Sequence, residues 1–209
     1  MSVETPRRIV LAVTGASGAI YAMRTRSALL QHGQHVDLVI TDYGRRLLTD
    51  ELGAGARVDR LQAYLEETWG EGVRRGGWVL HSNKDLGSRL ASGSKGAEAM
   101  VIAPCSMKTM AAIAHGLSRS LVERAADVML KERRQLIMMP RETPMSLPQL
   151  KNMVLCAEAG AIMVPAMPGF YQRPQTIADL ADFMAGRILS LLRIEHQLYP
   201  GWDPQAGRE

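Results

Sequence analysis

Small residues and hydroxyls follow two apolar runs of the sequence, at positions where a phosphate could be bound. The set 15–18 follows the run 8–14, and the set 106–109 follows the run 99–104. Each set precedes a segment with a helical pattern, and the amides and dipole of a helix N-terminus favour an anion. Tyr21 stands where a dinucleotide fingerprint has its third glycine. The pattern favours a mononucleotide over a dinucleotide, with a ligand-free tight turn as the alternative.

Four cations are placed where they could converge on such an anion. Arg141 directly follows the apolar run 135–140, and its planar guanidinium suits bidentate phosphate binding. Arg124 and Lys131 are two helical turns apart on one face of a predicted helix, and Arg187 lies in the last predicted helix. Each alone is typical of a surface ion pair, but together with the hydroxyls they predict a phosphate clamp.

Other candidates are weaker when taken alone. Glu51 has the surroundings of a solvated surface glutamate. Cys105 beside Ser106 could be a nucleophile, but the sequence places no base near it. The favoured interpretation is therefore that Cys105 is a small buried residue at a turn. The two cysteines and five histidines show no metal-ligand spacing, so no metal site is predicted.

The elements that must position these residues can be read from hydrophobic patterns. Continuous apolar runs indicate strands buried on both faces of a parallel sheet. The predicted strands are 8–14, 35–40, 78–81, 99–104, 135–140 and 161–165. The predicted helices are 19–31, 43–52, 57–68, 106–114, 121–134, 147–159 and 177–192. This alternation predicts the α/β class: a single-domain doubly wound Rossmann-like parallel sheet with helices on both faces. Ligands of such sheets bind at the carboxyl ends of the strands.

Length and composition set the remaining bounds. The 209 residues predict one domain over 1–209, with flexible tails at 1–7 and 203–209. The net charge of +4 is dispersed in pairs rather than concentrated with aromatics, which argues against nucleic-acid binding. No apolar run is long enough to span a membrane, and the first residues do not form a signal peptide, so a cytoplasmic protein is expected.

Five segments, in matching order, closely resemble the UbiX-like flavin prenyltransferases of the flavin-containing cysteine decarboxylase fold superfamily. They are Thr14–Tyr21, Pro104–Thr109, Arg124–Arg134, Pro140–Pro144 and Pro168–Gln175. The blocks 124–134 and 170–174 are the specific ones. The sequence departs from the family at Thr41, where many members have serine, at 42–44, and in the glycine-rich stretch 70–88.

The resemblance implies a reaction. The protein would bind reduced FMN and dimethylallyl phosphate and attach the dimethylallyl group to flavin N5 and then C6, with loss of phosphate. Fixed cations and a tyrosine hydroxyl would stabilise the departing phosphate, and no metal would be required. The prenylated FMN would serve a UbiD-like decarboxylase. The family forms homododecamers with sites at subunit junctions. Monophosphate and pyrophosphate donors are not distinguished, nor are Glu142 and the phosphate as acceptor of the C6 proton.

The resemblance also implies roles for individual residues. It places FMN on Gly15, Ala16, Ser17, Thr41, Ser106, Met107, Lys108, Thr109 and Arg141. It places the prenyl phosphate on Lys131, Arg141, Tyr171 and Arg187. It gives proton handling or carbocation control to Ser17, Glu51, Arg124, Glu142 and Trp202. The alternatives are an FMN-dependent decarboxylase of the same fold, a non-enzymatic FMN carrier, and a nicotinamide-dependent reductase.

Overall fold

The computed structural model describes residues 6–200, which form one six-stranded parallel sheet flanked by helices. The strands are β1 (Arg8–Val13), β2 (His35–Ile40), β3 (Gly77–His81), β4 (Ala99–Cys105), β5 (Gln135–Pro140) and β6 (Ile162–Met163). They lie in the order β3-β2-β1-β4-β5-β6. The α-helices are α1 (Ala19–Gln31), α2 (Asp42–Leu52), α3 (Leu61–Trp69), α4 (Met107–Ala114), α5 (Leu121–Lys131), α6 (Leu147–Glu158) and α7 (Ile177–Leu191). The predicted fold class is confirmed.

Strand β1 shows why its sequence reads as a continuous apolar run. Ile9 and Leu11 point into a core shared with α1, α2, α3 and α7. Val10 and Ala12 point into a second core shared with α4, α5 and α6. Because helices cover both faces of the sheet, neither set of side chains meets water, and the alternation typical of half-exposed strands is absent.

Helix α5 and strand β6 are shorter than predicted. Helix α5 ends at Lys131 rather than Arg134, because Arg133 adopts a left-handed conformation with φ 53°. Arg134 follows the end of the helix and donates to the carbonyls of Gly93 and Ala97. Strand β6 covers two residues instead of 161–165, although the amides of Val164 and Ala166 still donate to the Met138 and Pro140 carbonyls of β5.

The segment that follows β3 is fixed by a buried charge. Asp37, in the middle of β2, is fully buried and binds Arg8 Nη2 at 3.0 Å and His81 Nε2 at 2.9 Å. Arg89, in a short 3₁₀ turn, also donates to this carboxylate. One aspartate therefore ties β1, β2, β3 and the turn together.

The chain ends are only partly described. Residues 1–5 and 201–209 lie outside the described part. Arg7 falls inside it, and its amide donates to Gln34 Oε1 at 3.0 Å. Across residues 6–200, no helix combines the length and the apolar character needed to cross a bilayer.

Candidate active site

The predicted FMN residues come together at one edge of the sheet. Four neighbouring parallel strands, β2, β1, β4 and β5, end there, and the residues that follow them are Thr41, the loop 14–18, the start of α4 at 106–109, and Arg141. The strand order reverses direction between β1 and β4, which is where doubly wound sheets open a ligand crevice. The topology thus assembles a site from segments about 100 residues apart in sequence.

Thr14 joins the two central strand ends. Its hydroxyl donates to the Pro104 carbonyl at 2.8 Å and accepts from the Ser106 amide at 2.7 Å, and the side chain is fully buried. The loop after β1 is thereby held against the N-terminus of α4. Sequence reasoning did not single out Thr14. The only signal was a hydroxyl at the end of an otherwise apolar strand.

The N-terminus of α4 offers donors to a ligand. Ser106 is its N-cap and accepts from the Thr109 amide, while its hydroxyl lies 3.0 Å from Thr109 Oγ1. The first amides of a helix have no intrahelical acceptor. Within residues 6–200, the amides of Met107 and Lys108 donate to no protein group. This end of α4 is therefore suited to an anion.

Arg141 reaches back across β4 to the loop after β1. Its Nε donates to the Ser17 carbonyl at 3.2 Å, and its amide donates to the Cys105 carbonyl at 3.4 Å. The guanidinium is half-buried and faces the loop that carries the predicted phosphate-binding residues. Glu142 follows directly, and its carboxylate accepts from the Thr143 amide at 3.1 Å.

Glu51 is an N-terminal cap rather than a free surface glutamate. Its Oε2 accepts from the Gly18 amide at 2.9 Å and from the Ala19 amide at 2.8 Å. Helix α1 begins after Gly18, which has φ 115° and no side chain to cap the helix. A carboxylate from α2 thus satisfies the first amides of α1, where its charge also interacts favourably with the helix dipole.

Thr41 and Tyr43 follow β2 and lie beside the loop after β1. The Thr41 hydroxyl caps α2 by accepting from the Gly44 amide at 3.1 Å. A Cβ atom on Gly15 would lie 2.7 Å from Tyr43 Cβ, so only glycine allows this close approach. Tyr43 is 71% exposed at the rim, and no pattern in the sequence singles it out.

These residues fit a phosphorylated flavin. The loop 15–18 carries no bulky side chain, the start of α4 presents unpaired amides, and Arg141 supplies a cation. Hydroxyls of Ser17, Thr41 and Ser106 add polar contacts for a phosphate or a ring carbonyl.

One chain does not bring the four predicted cations together. Lys131 ends α5 just before β5 begins, so it lies at the opposite edge of the sheet from Arg141, and its Nζ pairs with Glu132. Arg187 is one turn before the end of α7, whose Leu191 carbonyl accepts from Gln135 at the start of β5. It too lies toward the opposite edge.

Arg124 is held by its own surroundings. Its Nη1 donates to Asp127 at 2.6 Å, as expected for residues on one helical face, and its Nε donates to the Ala91 carbonyl at 3.2 Å. The Tyr171 ring is more than half exposed and packs edge-to-face on Phe183 of α7. Trp202 lies outside the described residues.

The cysteine beside the site is not a nucleophile. Burial strongly raises the pKa of the Cys105 thiol, and the side chain is fully buried. A thiol under these conditions stays protonated and unreactive. In the part of the chain covered by residues 6–200, no three histidine, cysteine, aspartate or glutamate side chains are grouped so as to hold a metal ion.

Comparison with known proteins gives sequence relatives over nearly the whole chain. A family model described as Flavoprotein matches residues 2–189. The flavin prenyltransferase UbiX of Methanothermobacter thermautotrophicus is 44% identical over 196 residues, which cover 94% of this chain and 95% of the relative. The flavin prenyltransferase UbiX of Pseudomonas aeruginosa is 42% identical over 202 residues, which cover 96% of each chain.

Solved structures agree with these relatives. A UbiX protein (AnUbiX, PadA1) in complex with FMN and dimethylallyl pyrophosphate has a TM-score of 0.81 and 35% identity, over 95% of this chain and 100% of the other. A dodecameric FMN-dependent UbiX-like decarboxylase from Escherichia coli O157:H7 has a TM-score of 0.82 and 32% identity, over 94% of this chain and 99% of the other. With its fold and its strand-end residues, this chain belongs to the flavoprotein family, among the UbiX-type flavin prenyltransferases.

Proposed function

We propose that this protein is a transferase that joins a dimethylallyl group, taken from its phosphate ester, to N5 and C6 of reduced FMN. The observation that carries the proposal is the meeting of the loop 15–18, the open N-terminus of α4 and Arg141 at one sheet edge. A flavin bound there would have the Arg141 cation beside it. A fixed cation stabilises the negative charge that develops on the departing phosphate of the prenyl donor.

FMN is bound in this proposal by the residues at the strand ends. The small side chains of Gly15 and Ala16 admit the ligand, and Ser17, Thr41, Ser106 and Thr109 contribute hydroxyls. Met107 and Lys108 contribute amides at the start of α4, where the dipole favours an anion. The reduced flavin supplies the nucleophilic ring that accepts the prenyl group.

The prenyl phosphate is held by residues from more than one subunit. Arg141 acts from the chain that binds FMN, whereas Lys131 and Arg187 lie toward the opposite sheet edge and serve a neighbouring copy. Tyr171 adds a hydroxyl from the loop after β6. A homododecamer with sites at subunit junctions brings these groups together, and one structural neighbour is a dodecamer.

Proton transfer and control of the allylic cation fall to a further set of residues. Glu142 stands beside Arg141 and accepts the C6 proton, directly or through the released phosphate. Ser17, Glu51 and Arg124 arrange the flavin side of the site, and Trp202 gives an aromatic face to the cation. The product, prenylated FMN, passes to a UbiD-like decarboxylase, and we place the whole exchange in the cytoplasm.

The test is mass spectrometry of the flavin. Purified protein is loaded with FMN, reduced without oxygen, and incubated with dimethylallyl monophosphate or, separately, pyrophosphate. We expect the flavin to gain the mass of one C5H8 unit and phosphate to be released with at least one donor. An unchanged flavin mass with both donors would contradict the proposal, and the two arms identify the donor.

A second candidate is FMN-dependent decarboxylation. Structural neighbours above 30% identity include two with decarboxylase names, one of them the phenylacrylic acid decarboxylase of Aquifex aeolicus, with 35% identity and a TM-score of 0.76. Release of carbon dioxide from phenylacrylic acid by the FMN-loaded protein, without a prenyl donor, would favour this reading. Catalysis only after flavin transfer to a partner decarboxylase would favour the first.

A further inference from the structure

Helix α7 has a notch in its middle, made by Gly186. Glycine is among the least favourable residues in a helix interior, so its presence there needs a reason. A Cβ atom at this position would lie 2.4 Å from Tyr199 Cε1 and 2.7 Å from His196 Cε1. The notch therefore exists to admit two rings of the segment 194–200, which folds back along the helix.

The His196 ring is held in the notch by hydrogen bonds at both nitrogens. The Leu198 amide donates to Nδ1 at 3.3 Å, and Nε2 lies 2.9 Å from Ser190 Oγ. Because Nδ1 accepts from an amide, the ring hydrogen is on Nε2, which donates to the serine. Two partners thus fix the segment 194–200 on α7.

From the notch, a row of rings leads to the proposed substrate site. Tyr199 packs on Phe183 with ring centroids 5.1 Å apart, and Phe183 packs edge-to-face on Tyr171 at 5.8 Å. The Gln172 side chain donates to the Pro200 carbonyl at 2.6 Å. The loop that carries Tyr171 is therefore joined to the segment 194–200 in two ways: through the ring of Phe183 and through the Gln172 hydrogen bond.

We infer that Tyr199 is a positioning residue for the prenyl donor: its ring, seated in the Gly186 notch, fixes Phe183 and through it the orientation of Tyr171. The inference rests on the proposed role of Tyr171 in binding the donor phosphate. The Tyr171 ring is 56% exposed, so its packing on Phe183 is what limits its rotation. Among residues 6–200, no ring pair or side-chain hydrogen bond joins this row to the strand-end residues assigned to FMN.

Steady-state kinetics of Tyr199→Ala, with donor concentration varied, test the inference. We expect KM for dimethylallyl phosphate to rise about three- to tenfold, the range that the loss of one aromatic pair corresponds to. FMN affinity should not change, and kcat should change less than KM. Tyr199→Phe keeps the ring and should restore the wild-type KM.

A matched control is Tyr64→Ala. Tyr64 makes an edge-to-face pair with Trp69 at 5.9 Å in α3, and neither ring belongs to the row that leads to Tyr171. Its loss should lower Tm without changing KM. An independent readout is the double-mutant cycle. Gly186→Ala should lower Tm in the wild-type background and lower it less with Tyr199→Ala, because one of the two clashing rings is gone and only the His196 contact remains.

The outcomes separate the two claims. Wild-type protein that leaves the flavin unprenylated contradicts the proposed function. Active wild-type protein with an unchanged KM in Tyr199→Ala, or with the same rise in Tyr64→Ala, overturns the positioning role alone. Additive Tm changes in the cycle would likewise show that Tyr199 does not occupy the Gly186 notch.

Discussion

The carboxylate of Glu51 shows how a single residue can be misjudged from its neighbours. In sequence it stands on a polar, exposed stretch of α2. In the folded chain it accepts from the Gly18 and Ala19 amides, 33 and 32 residues away. Nothing local encodes that pairing, because it depends on where α1 and α2 meet above the sheet. The hydroxyls of Ser106 and Thr41, by contrast, cap the helices that directly follow them, and such caps can be read from sequence.

Replacement of Glu51 tests the cap. Glu51→Ala leaves two amides of α1 without an acceptor, and we expect the free energy of unfolding to fall by about 1 kcal/mol. Glu51→Gln keeps a carbonyl oxygen in place and should stay close to wild type in urea denaturation. If Glu51→Gln is stable but slow in prenylation, the carboxylate has a catalytic role besides the cap; equal stability of all three proteins would contradict the cap.

Variants of Glu142 and Arg187 test whether FMN binding and prenylation depend on different residues. Glu142→Ala and Arg187→Ala should retain FMN, because the loop 15–18 and the start of α4 are untouched. Loss of a proton acceptor costs about 10²- to 10⁴-fold in rate, which is the decrease expected for Glu142→Ala. The ratio of flavin to protein and the rate of a single turnover are the measurements. Glu67→Gln, on the exposed side of α3, is the matched control. Full prenylation by either variant would show that the proposed roles are wrong.

The helices and strands whose bounds can be predicted from sequence are those with a local hydrophobic pattern. The bounds of α1 and β2 follow from their own periodicity and turn residues, and the structure gives the same bounds. The strand predicted at 78–81 agrees with β3, but the chain between β3 and β4 has no periodic pattern, since its contacts are remote. Asn83 accepts from two amides at the start of α5, and Arg134 donates to carbonyls at Gly93 and Ala97. Polar contacts across such distances leave no periodic signal.

Among the contacts that join helices and strands, the Asp37 cluster (Asp37 with Arg8, His81 and Arg89) has the clearest consequence for the free energy of unfolding. Asp37→Ala would leave Arg8, Arg89 and His81 without their shared carboxylate. Removing one partner of a buried pair costs about 3–5 kcal/mol, and the two arginines are one-third exposed, so we expect about 2–3 kcal/mol here. Chemical denaturation measures it. Asp50→Ala, which removes an exposed i,i+4 pair with Arg46, should cost well under 1 kcal/mol. Equal costs would contradict a structural role for the cluster.

Two histidines in these elements predict how stability depends on pH. Burial lowers the pKa of His35, with the Arg8 charge adding to the effect, and burial lowers the pKa of His196, with His32 and Arg187 adding. The folded chain thus binds fewer protons than the unfolded chain as pH falls through about 6.5. Stability should be full above this pH and decline below it. Urea denaturation at several pH values measures this, and His196→Gln should flatten the decline. A rise in stability toward pH 5.5 would contradict the prediction.

For the whole molecule, the placement of the proposed phosphate clamp leads us to expect that one chain is not a complete catalyst. Arg141 and Lys131 are placed at opposite ends of the parallel strands. A ridge of apolar side chains on α6, formed by Leu147, Leu150 and Val154, is 46–63% exposed. Such a ridge is typical of a surface that another subunit covers. The proposed dodecamer explains both observations, since assembly buries the ridge and joins the two halves of the clamp.

Mixed oligomers test this division directly. Arg141→Ala and Arg187→Ala subunits, each inactive alone, are co-expressed with different tags and purified as hybrids. If a site takes Arg141 from one subunit and Arg187 from its neighbour, some junctions in the hybrid contain both wild-type residues, and prenylation returns in part. Hybrids of Arg141→Ala with Ser106→Ala are the control: both changes lie at the same sheet edge, so every site keeps one defect and activity stays absent. No recovery in the first pair would place the whole clamp within one chain and contradict the shared site. Recovery in the control would show that Arg141 and Ser106 serve different sites, which would contradict the proposed division between the two sheet edges.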